Sequence, residues 1–277
     1  MSTQAEKGQV FRRLHERNTA FIIPNPWDIG SARILEHIGY EALATTSMGY
    51  AFSLGKLDTT VDRGEMLAHI AALADATSLP VSADLENGYG DDPGTVAETI
   101  RLAAAAGVVG GSIEDATGRA VDPIYDIGLA VERVRAAVAA ARALPFPFTL
   151  TARAENYLHG RPDLDDTIRR LKAFDEAGAD VLYAPGLRSQ DDIAAVVKSV
   201  QKPVNVLMGL QGVLLSAEEL SAIGARRISV GSALYRTAMG AFLRAANEMR
   251  HQGTFGFAAD AAHPRDLARI FAPGLTA

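Results

Sequence analysis

The sequence predicts a (β/α)8 barrel, and three observations carry that prediction: eight short apolar runs, helical patterns between them, and charged residues gathering where the runs stop. Alternating strand and helix implies a parallel sheet, and eight repeats within 277 residues favour a closed barrel over an open doubly wound sheet. No linker, fixed-period repeat or low-complexity segment divides the chain. A single domain over 1–277 is expected, with the barrel at about 20–242 and a C-terminal helical extension at about 243–277.

The strand runs are Phe21 to Pro24, Ala42 to Ser47, Val81 to Glu86, Gly110 to Asp115, Phe148 to Arg153, Val181 to Ala184, Val204 to Met208 and Arg227 to Val230. The first ends at Pro24-Asn25-Pro26-Trp27, which cannot continue a regular ladder. Ala136 to Ala143 is alanine-rich and reads as helix, and Ile168, Leu171 and Phe174 share one buried helical face. Ser189 with Asp192 opens a helix through Ile193, Val196 and Val197, and Ser216-Ala217-Glu218-Glu219 is a capping box ahead of Leu220 and Ile223. Gly39, Gly107, Gly178 and Gly224 stand where a helix stops in the left-handed conformation before the next strand. After the last strand come a helix from about Ala233 to Arg250, a turn at Gly253 to Phe257, and a short helix after Pro264.

Composition excludes several chemistries. There is no cysteine, hence no disulfide, thiolate metal site or cysteine nucleophile. A net charge of −6 without a Lys/Arg cluster argues against nucleic acid, and no apolar run approaches the roughly 20 residues that span a bilayer. The segment Met1 to Arg12 is polar and mixed in charge, with no signal-peptide core, so a cytoplasmic protein is expected. A small anionic substrate stays compatible with the acidic chain, because one local arginine and a metal outweigh the global charge.

The most informative stretch is Val81-Ser82-Ala83-Asp84-Leu85-Glu86-Asn87-Gly88-Tyr89-Gly90. Side chains alternate along a strand, so Asp84 and Glu86 are expected on one face, and two such acids repel unless a cation or proton lies between them. Hard divalent cations take oxygen ligands, which makes a metal site the first reading and a solvated acidic loop the other. The runs ending at Glu114-Asp115 and at Arg153, with Glu155 beyond it, add charge at the same barrel face. Arg153 taken alone fits either a substrate grip or an ion pair with Glu155 or Glu114. Trp27 reads as an apolar wall over the mouth or as core packing. Tyr89 reads as a water-orienting or packing group, and His159 and Arg119 as solvated side chains.

Thr45-Thr46-Ser47-Met48-Gly49, Leu54-Gly55-Lys56-Leu57-Asp58, Asp84 to Gly90, Ile113-Glu114-Asp115 and Thr151-Ala152-Arg153 occur in that order. With them the chain resembles the isocitrate lyase / phosphoenolpyruvate mutase superfamily, in its phosphoenolpyruvate mutase-like branch, from about Phe21 to Phe242. The resemblance implies a (β/α)8 barrel binding Mg²⁺ or Mn²⁺ with a 2-oxo acid or its enolate. It implies Asp84 as direct metal ligand, with Asp58, Glu86 and Glu114 on metal-bound waters. Glu86 replaces an Asp of the family motif, a longer side chain that water-mediated contact tolerates. Ser47 and the N–H groups of Met48 and Gly49 would bind carboxylate and oxo oxygens. Arg153 would meet the substrate carboxylate or enolate, and Asn205 fits a substrate-binding Asn of the lyases.

Two departures stand out. Asp115-Ala116-Thr117-Gly118-Arg119-Ala120-Val121-Asp122 has neither the Cys nor the His of the lyases' loop, and Ala116 stands where the mutase and phosphonopyruvate hydrolase branches place Lys. Tyr183-Ala184-Pro185-Gly186 also lacks the lyases' acidic residue. The expected function is a Mg²⁺-dependent lyase for a small 2-hydroxy or 2-oxo (di)carboxylic acid, working by C–C cleavage or decarboxylation through a metal-stabilised enolate, with Arg153 and Glu114 catalytic. Phosphonopyruvate hydrolase or mutase-type P–C chemistry, and a 2-oxo acid binding protein with little turnover, are the alternatives. The resemblance further implies a homo-oligomer, a tetramer built from dimers, whose C-terminal helices exchange between subunits.

Overall fold

A computed structural model describes residues 2–210 and 212–272. Eight parallel strands, β1 (Phe21–Ile23), β2 (Leu43–Ala44), β3 (Val81–Asp84), β4 (Gly110–Glu114), β5 (Thr149–Arg153), β6 (Val181–Tyr183), β7 (Val204–Leu207) and β8 (Arg227–Ser229), form one sheet in the order β1-β8-β7-β6-β5-β4-β3-β2. The remaining seam is bridged where Ala44 N–H donates to the Pro24 carbonyl (3.1 Å) and the Asn25 amide donates to the Thr45 carbonyl (3.0 Å). The barrel is thereby closed, as the alternation in the sequence predicts.

Around it lie α2 (Ile29–Ile38), α3 (Ser47–Ser53), α4 (Arg63–Ala76), α5 (Pro93–Ala105), α6 (Ile127–Arg142), α7 (Leu164–Glu176), α8 (Gln190–Ser199) and α9 (Ala217–Ile223), preceded by α1 (Gln4–His15) and followed by α10 (Ala233–Gln252) and α11 (Pro264–Phe271). The strands are two-faced. Outward residues such as Ala83, Ile113, Leu150, Ala152, Leu182, Val206 and Ile228 fill the layer beneath the helices. The alternate positions point inward and turn polar toward the C-terminal end: Ser82 and Asp84, Ser112 and Glu114, Thr151 and Arg153, Asn205, Arg227 and Ser229. Gly110 makes this packing possible, since a Cβ there would sit 2.9 Å from the Thr149 carbonyl and 2.8 Å from Phe11.

The strands are shorter than the sequence runs. β2 stops at Ala44 because Thr46 caps α3, its Oγ1 accepting the Gly49 N–H at 3.2 Å, so Ser47 opens a helix and does not end a strand. β3 stops at Asp84: Glu86 sits in the left-handed region (φ 49°), and Gly88 N–H closes a turn on the Leu85 carbonyl at 2.8 Å. Strand alternation therefore does not place Asp84 and Glu86 on one face. Ile168 is only half-buried, and Thr167 and Arg170 join Leu171 and Phe174 on the buried side of α7.

Sequence reading missed α1, which plugs the N-terminal end of the barrel with Phe11 and Leu14 against Phe21, Ile23, Ala42 and Val109. At the chain's other end, α11 packs on α2 of its own chain, whereas α10 buries only Tyr235 and leaves Phe242 and Leu243 63% and 58% exposed.

His15 in the plug gives a pH test. Its ring stands edge-on between Phe11 and Phe21, Nδ1 meets the Phe11 carbonyl at 2.9 Å, and burial, helped by nearby Arg227, pulls its pKa down to about 3. Between pH 6.5 and 3 the unfolded chain takes a proton that the native state refuses. The associated stability is complete above the unfolded pKa and is lost as pH falls toward the folded one. Unfolding free energies from urea titrations at pH 7 and pH 4.5 should therefore converge in His15→Gln relative to the parent, by up to about 1.4 kcal/mol per pH unit; an unchanged gap would rule out this role.

Candidate active site at the barrel mouth

The inward strand ends meet in a cavity of about 420 Å³ lined by Ser47, Asp58, Asp84, Glu86, Glu114 and Arg153. Arg153 is its centre. Nη1 donates to Asp84 Oδ1 (2.9 Å), Nη2 lies 3.1 Å from Glu114 Oε2, and Nε donates to Glu155 Oε1 (2.8 Å). Burial opposes its charge, but Glu155, Glu114 and Asp84 outweigh burial and hold its pKa well above the usual range. Its guanidinium also lies 5.2 Å from the Tyr183 ring centroid.

Ser47 holds the other side. Its N–H and hydroxyl reach Asp84 Oδ2 at 3.1 and 3.0 Å, and the hydroxyl lies 3.3 Å from Asp58 Oδ1. Asp84 is fixed from behind, its own N–H donating to Thr45 Oγ1 at 2.8 Å. Met48 lines the cavity; the Gly49 N–H is engaged by the Thr46 cap, and a Cβ at Gly49 would come within 2.6 Å of Thr46 Cγ2. Trp27 packs edge-on against Tyr235, with centroids 5.6 Å apart, outside the cavity lining. Asn205 reaches the cavity, but its amide is occupied on both sides, by Arg227 Nε on Oδ1 and by Ser229 Oγ on Nδ2, each at 2.9 Å.

The acids outnumber the cation, and their titration shows it. Burial, with Asp84 and Asp58 nearby, pushes Glu86 up to about 8; burial and Asp84 raise Asp58; and burial holds Glu114 well above the carboxylate range. Glu86 Oε1 is buried without a hydrogen-bond partner. An all-oxygen donor set with surplus negative charge and an orphaned carboxylate oxygen suits a hard divalent cation. Even so, no group of three or more metal-ligating side chains stands together among the described residues, because Arg153 and Ser47 hold Asp84.

Asp115 departs from its expected place at the mouth. It turns away from the cavity, accepting from the Glu155 N–H (2.8 Å) and Arg170 Nη1 (3.1 Å). Behind it the loop after β4 folds as a small hairpin, with Ala116 bridged to Ile124 and the Tyr125 hydroxyl and Arg119 both on Asp91. Arg133 lies under the Tyr125 ring and donates to the carbonyls of Asn87, Gly90 and Asp91, pinning the loop that carries Glu86. Glu155 pairs with Arg153 as one of the two sequence readings of that arginine had it, whereas sequence reading missed Arg133, Tyr183 and Arg227. An arginine at an alternate position of the Arg227-Ile228-Ser229 run was the available signal for the last.

Comparison with known proteins fits this site. Residues 11–250 match the phosphoenolpyruvate phosphomutase family. The chain belongs to that family. The crystal structure of a putative lyase/mutase from Burkholderia cenocepacia J2315 is 67% identical, with a TM-score of 0.96 over 98% of this chain and 97% of that one. The 2-methylisocitrate lyase of Escherichia coli K12 is 30% identical over 89% of this chain and 86% of its own length. An oxaloacetate acetylhydrolase in complex with its product oxalate is 27% identical, with a TM-score of 0.87 over 98% and 95% of the two chains. The chain thus belongs to the isocitrate lyase / phosphoenolpyruvate mutase superfamily of enzymes, which includes carbon–carbon lyases such as 2,3-dimethylmalate lyase.

Removing the central cation should expose the surplus of acids. Arg153→Gln is expected to destabilise the fold by about 3–5 kcal/mol at pH 8, the cost of stranding buried charge. The raised carboxyl groups bind protons more readily in the native state, so that loss should shrink at pH 5, where Glu86, pushed up to about 8, is neutral. Equal losses at both pH values in urea titrations would show that the carboxylates are not coupled to Arg153.

Proposed function

We propose that this enzyme is a Mg²⁺- or Mn²⁺-dependent lyase that cleaves or decarboxylates a small 2-oxo or 2-hydroxy acid, the whole chain acting as one barrel domain. The observation that carries this reading is the meeting of Arg153, Asp84 and Ser47 at one point inside the cavity. Asp84 would hold the ion directly, and Asp58, Glu86 and Glu114 through waters. When bound, the ion supplies Lewis acidity toward the oxygens of a 2-oxo acid.

The chain's own residues do the rest. Ser47 and Arg153 exchange their bonds to Asp84 for bonds to substrate oxygens, and Glu114, against Arg153 Nη2, fixes the plane of the guanidinium. For a 2-oxo acid bearing a carboxylate on C3, the bond from C3 to that carboxylate breaks and CO2 leaves. The bond's electron pair passes into the enolate with its charge on the oxo oxygen, where the Arg153 fork stabilises it by charge-assisted hydrogen bonds. Ala116 and Gly118 line the rim and offer no side-chain acid, and Thr117 Oγ1 donates to the Asp122 carbonyl, so the proton that completes the product comes from another oxygen acid or from water. The acetylhydrolase complex supports oxalate as a probe of the site.

Calorimetry with Mg²⁺ and oxalate tests the reading. Asp84→Ala should abolish tight metal binding, and Arg153→Lys should weaken oxalate by about 1–3 kcal/mol, since an ammonium cannot reproduce the planar fork. Turnover of 2-oxo and 2-hydroxy acids should stop on chelation. Consumption of phosphonopyruvate with a new phosphorus resonance would move the chain to P–C chemistry.

The same reading includes a homotetramer built from dimers through exchange of α10. Two exposed apolar surfaces support it: Ile22 on the outer side of β1, 38% exposed, and Phe242, Leu243 and Met249 along α10. Light scattering should give about four times 29.3 kDa at micromolar concentration, and a persistent monomer would exclude the exchange.

A further inference from the structure

The floor of the cavity carries a charge that no group in its surroundings balances. Arg227, the first residue of β8, points into the barrel, is 4% exposed, and lines the same cavity as Asp84 and Arg153. Its Nε donates to Asn205 Oδ1, while its buried Nη1 has no hydrogen-bond partner. The groups facing it are neutral or positive: Asn205 from β7, Tyr183 from β6, Arg153 from β5, and from α1 the uncharged His15. Burial lowers its pKa only to about 10, so it remains a cation at neutral pH.

The contrast with the neighbouring buried arginines is direct. Arg153 meets three carboxylates and Arg170 meets Asp115 and Asp166, whereas Arg227 forms no ion pair among the described residues. A buried guanidinium without a counter-charge is strongly unfavourable until an anion joins it. Nearby donors add to the site. Ser229 Oγ accepts from the Asn205 amide, which turns its own proton elsewhere, and Tyr183 and Ser229 both line the cavity. Polar groups thus lead from Arg153 at the mouth, past Tyr183 and Ser229, to Arg227 on the floor.

We propose that Arg227, with Ser229 beside it, is the counter-charge for a second carboxylate, the distal one of a dicarboxylic acid whose other end lies at Arg153 and Ser47. This rests on the 2-oxo or 2-hydroxy acid reading of the mouth given above. Asn205 is then a positioning residue that aims the guanidinium, and the enzyme selects dicarboxylic acids over their monocarboxylic counterparts.

The test compares binding of malate, lactate and oxalate to the Mg²⁺-loaded enzyme by calorimetry. The parent should bind malate at least about tenfold more tightly than lactate, the scale of one charged hydrogen bond. Arg227→Gln should bring that ratio close to one and leave oxalate, which occupies only the mouth, unchanged. Asn205→Asp supplies an internal carboxylate at nearly constant shape and should erase the preference in the same way, so the test survives if Arg227→Gln does not fold. A malate-to-lactate ratio near one in the parent overturns the proposal without any variant, as does a ratio that both variants leave intact. Chloride competition removed by Arg227→Gln with the ratio unchanged would reassign the site to a free inorganic anion, and also overturns it. Arg227-dependent malate binding without oxalate binding would uphold the floor site while refuting the reading of the mouth.

Discussion

One guanidinium holds the mouth of this barrel together. Strand alternation turns Asp84, Glu114 and Arg153 into the barrel interior at its C-terminal end, and the turn after β5 adds Glu155. Without the arginine these buried carboxylates would repel one another. With it, four strand ends and loops are tied to a single planar group. The arrangement also explains the choice of arginine, because the contacts leave the fork in three directions, which a point charge cannot match.

A second tier keeps that centre in place. Asp115 and Arg170 join the loop after β4 to α7, and Asp166 and Asn156 extend the network toward the turn after β5. Arg133 gathers three carbonyls of the Asn87–Asp91 loop and stacks on Tyr125, so the strained backbone at Glu86 and Tyr89, both at positive φ, is held from below. These groups work through packing and hydrogen bonds on the loops that carry the site. Their effect is to hold the loop carboxylates at the cavity in fixed orientations.

Much of this was legible in the sequence because the barrel repeats a simple rule. Apolar runs marked the strands, and charge at their ends marked the mouth, so Asp84, Glu114, Arg153 and Ser47 could be brought together from spacing and motif alone. What failed were local inferences. Asp84 and Glu86 reach one cavity through a left-handed turn that strand periodicity does not encode, and Asp115 was drawn away by Arg170, a partner 55 residues distant. Helix α1 escaped notice because its amphipathic pattern is carried by few residues, chiefly Phe11 and Leu14, within a strongly polar segment. Arg227 was hidden inside an ordinary strand, and its meaning lies in the missing counter-charge, which only three-dimensional neighbours reveal.

The plug formed by α1 gives the cavity the character of a well. Phe11 and Leu14 shut the far end of the barrel, so among the described residues traffic is directed to the mouth, lined by Ala116, Leu158 and His159. In a vessel with one opening, the order of entry constrains the order of exit: a fragment seated at the bottom leaves after the one above it. For a reaction that splits one molecule into two, this geometry imposes sequential release, with the deeper fragment as the species that competes directly with incoming substrate.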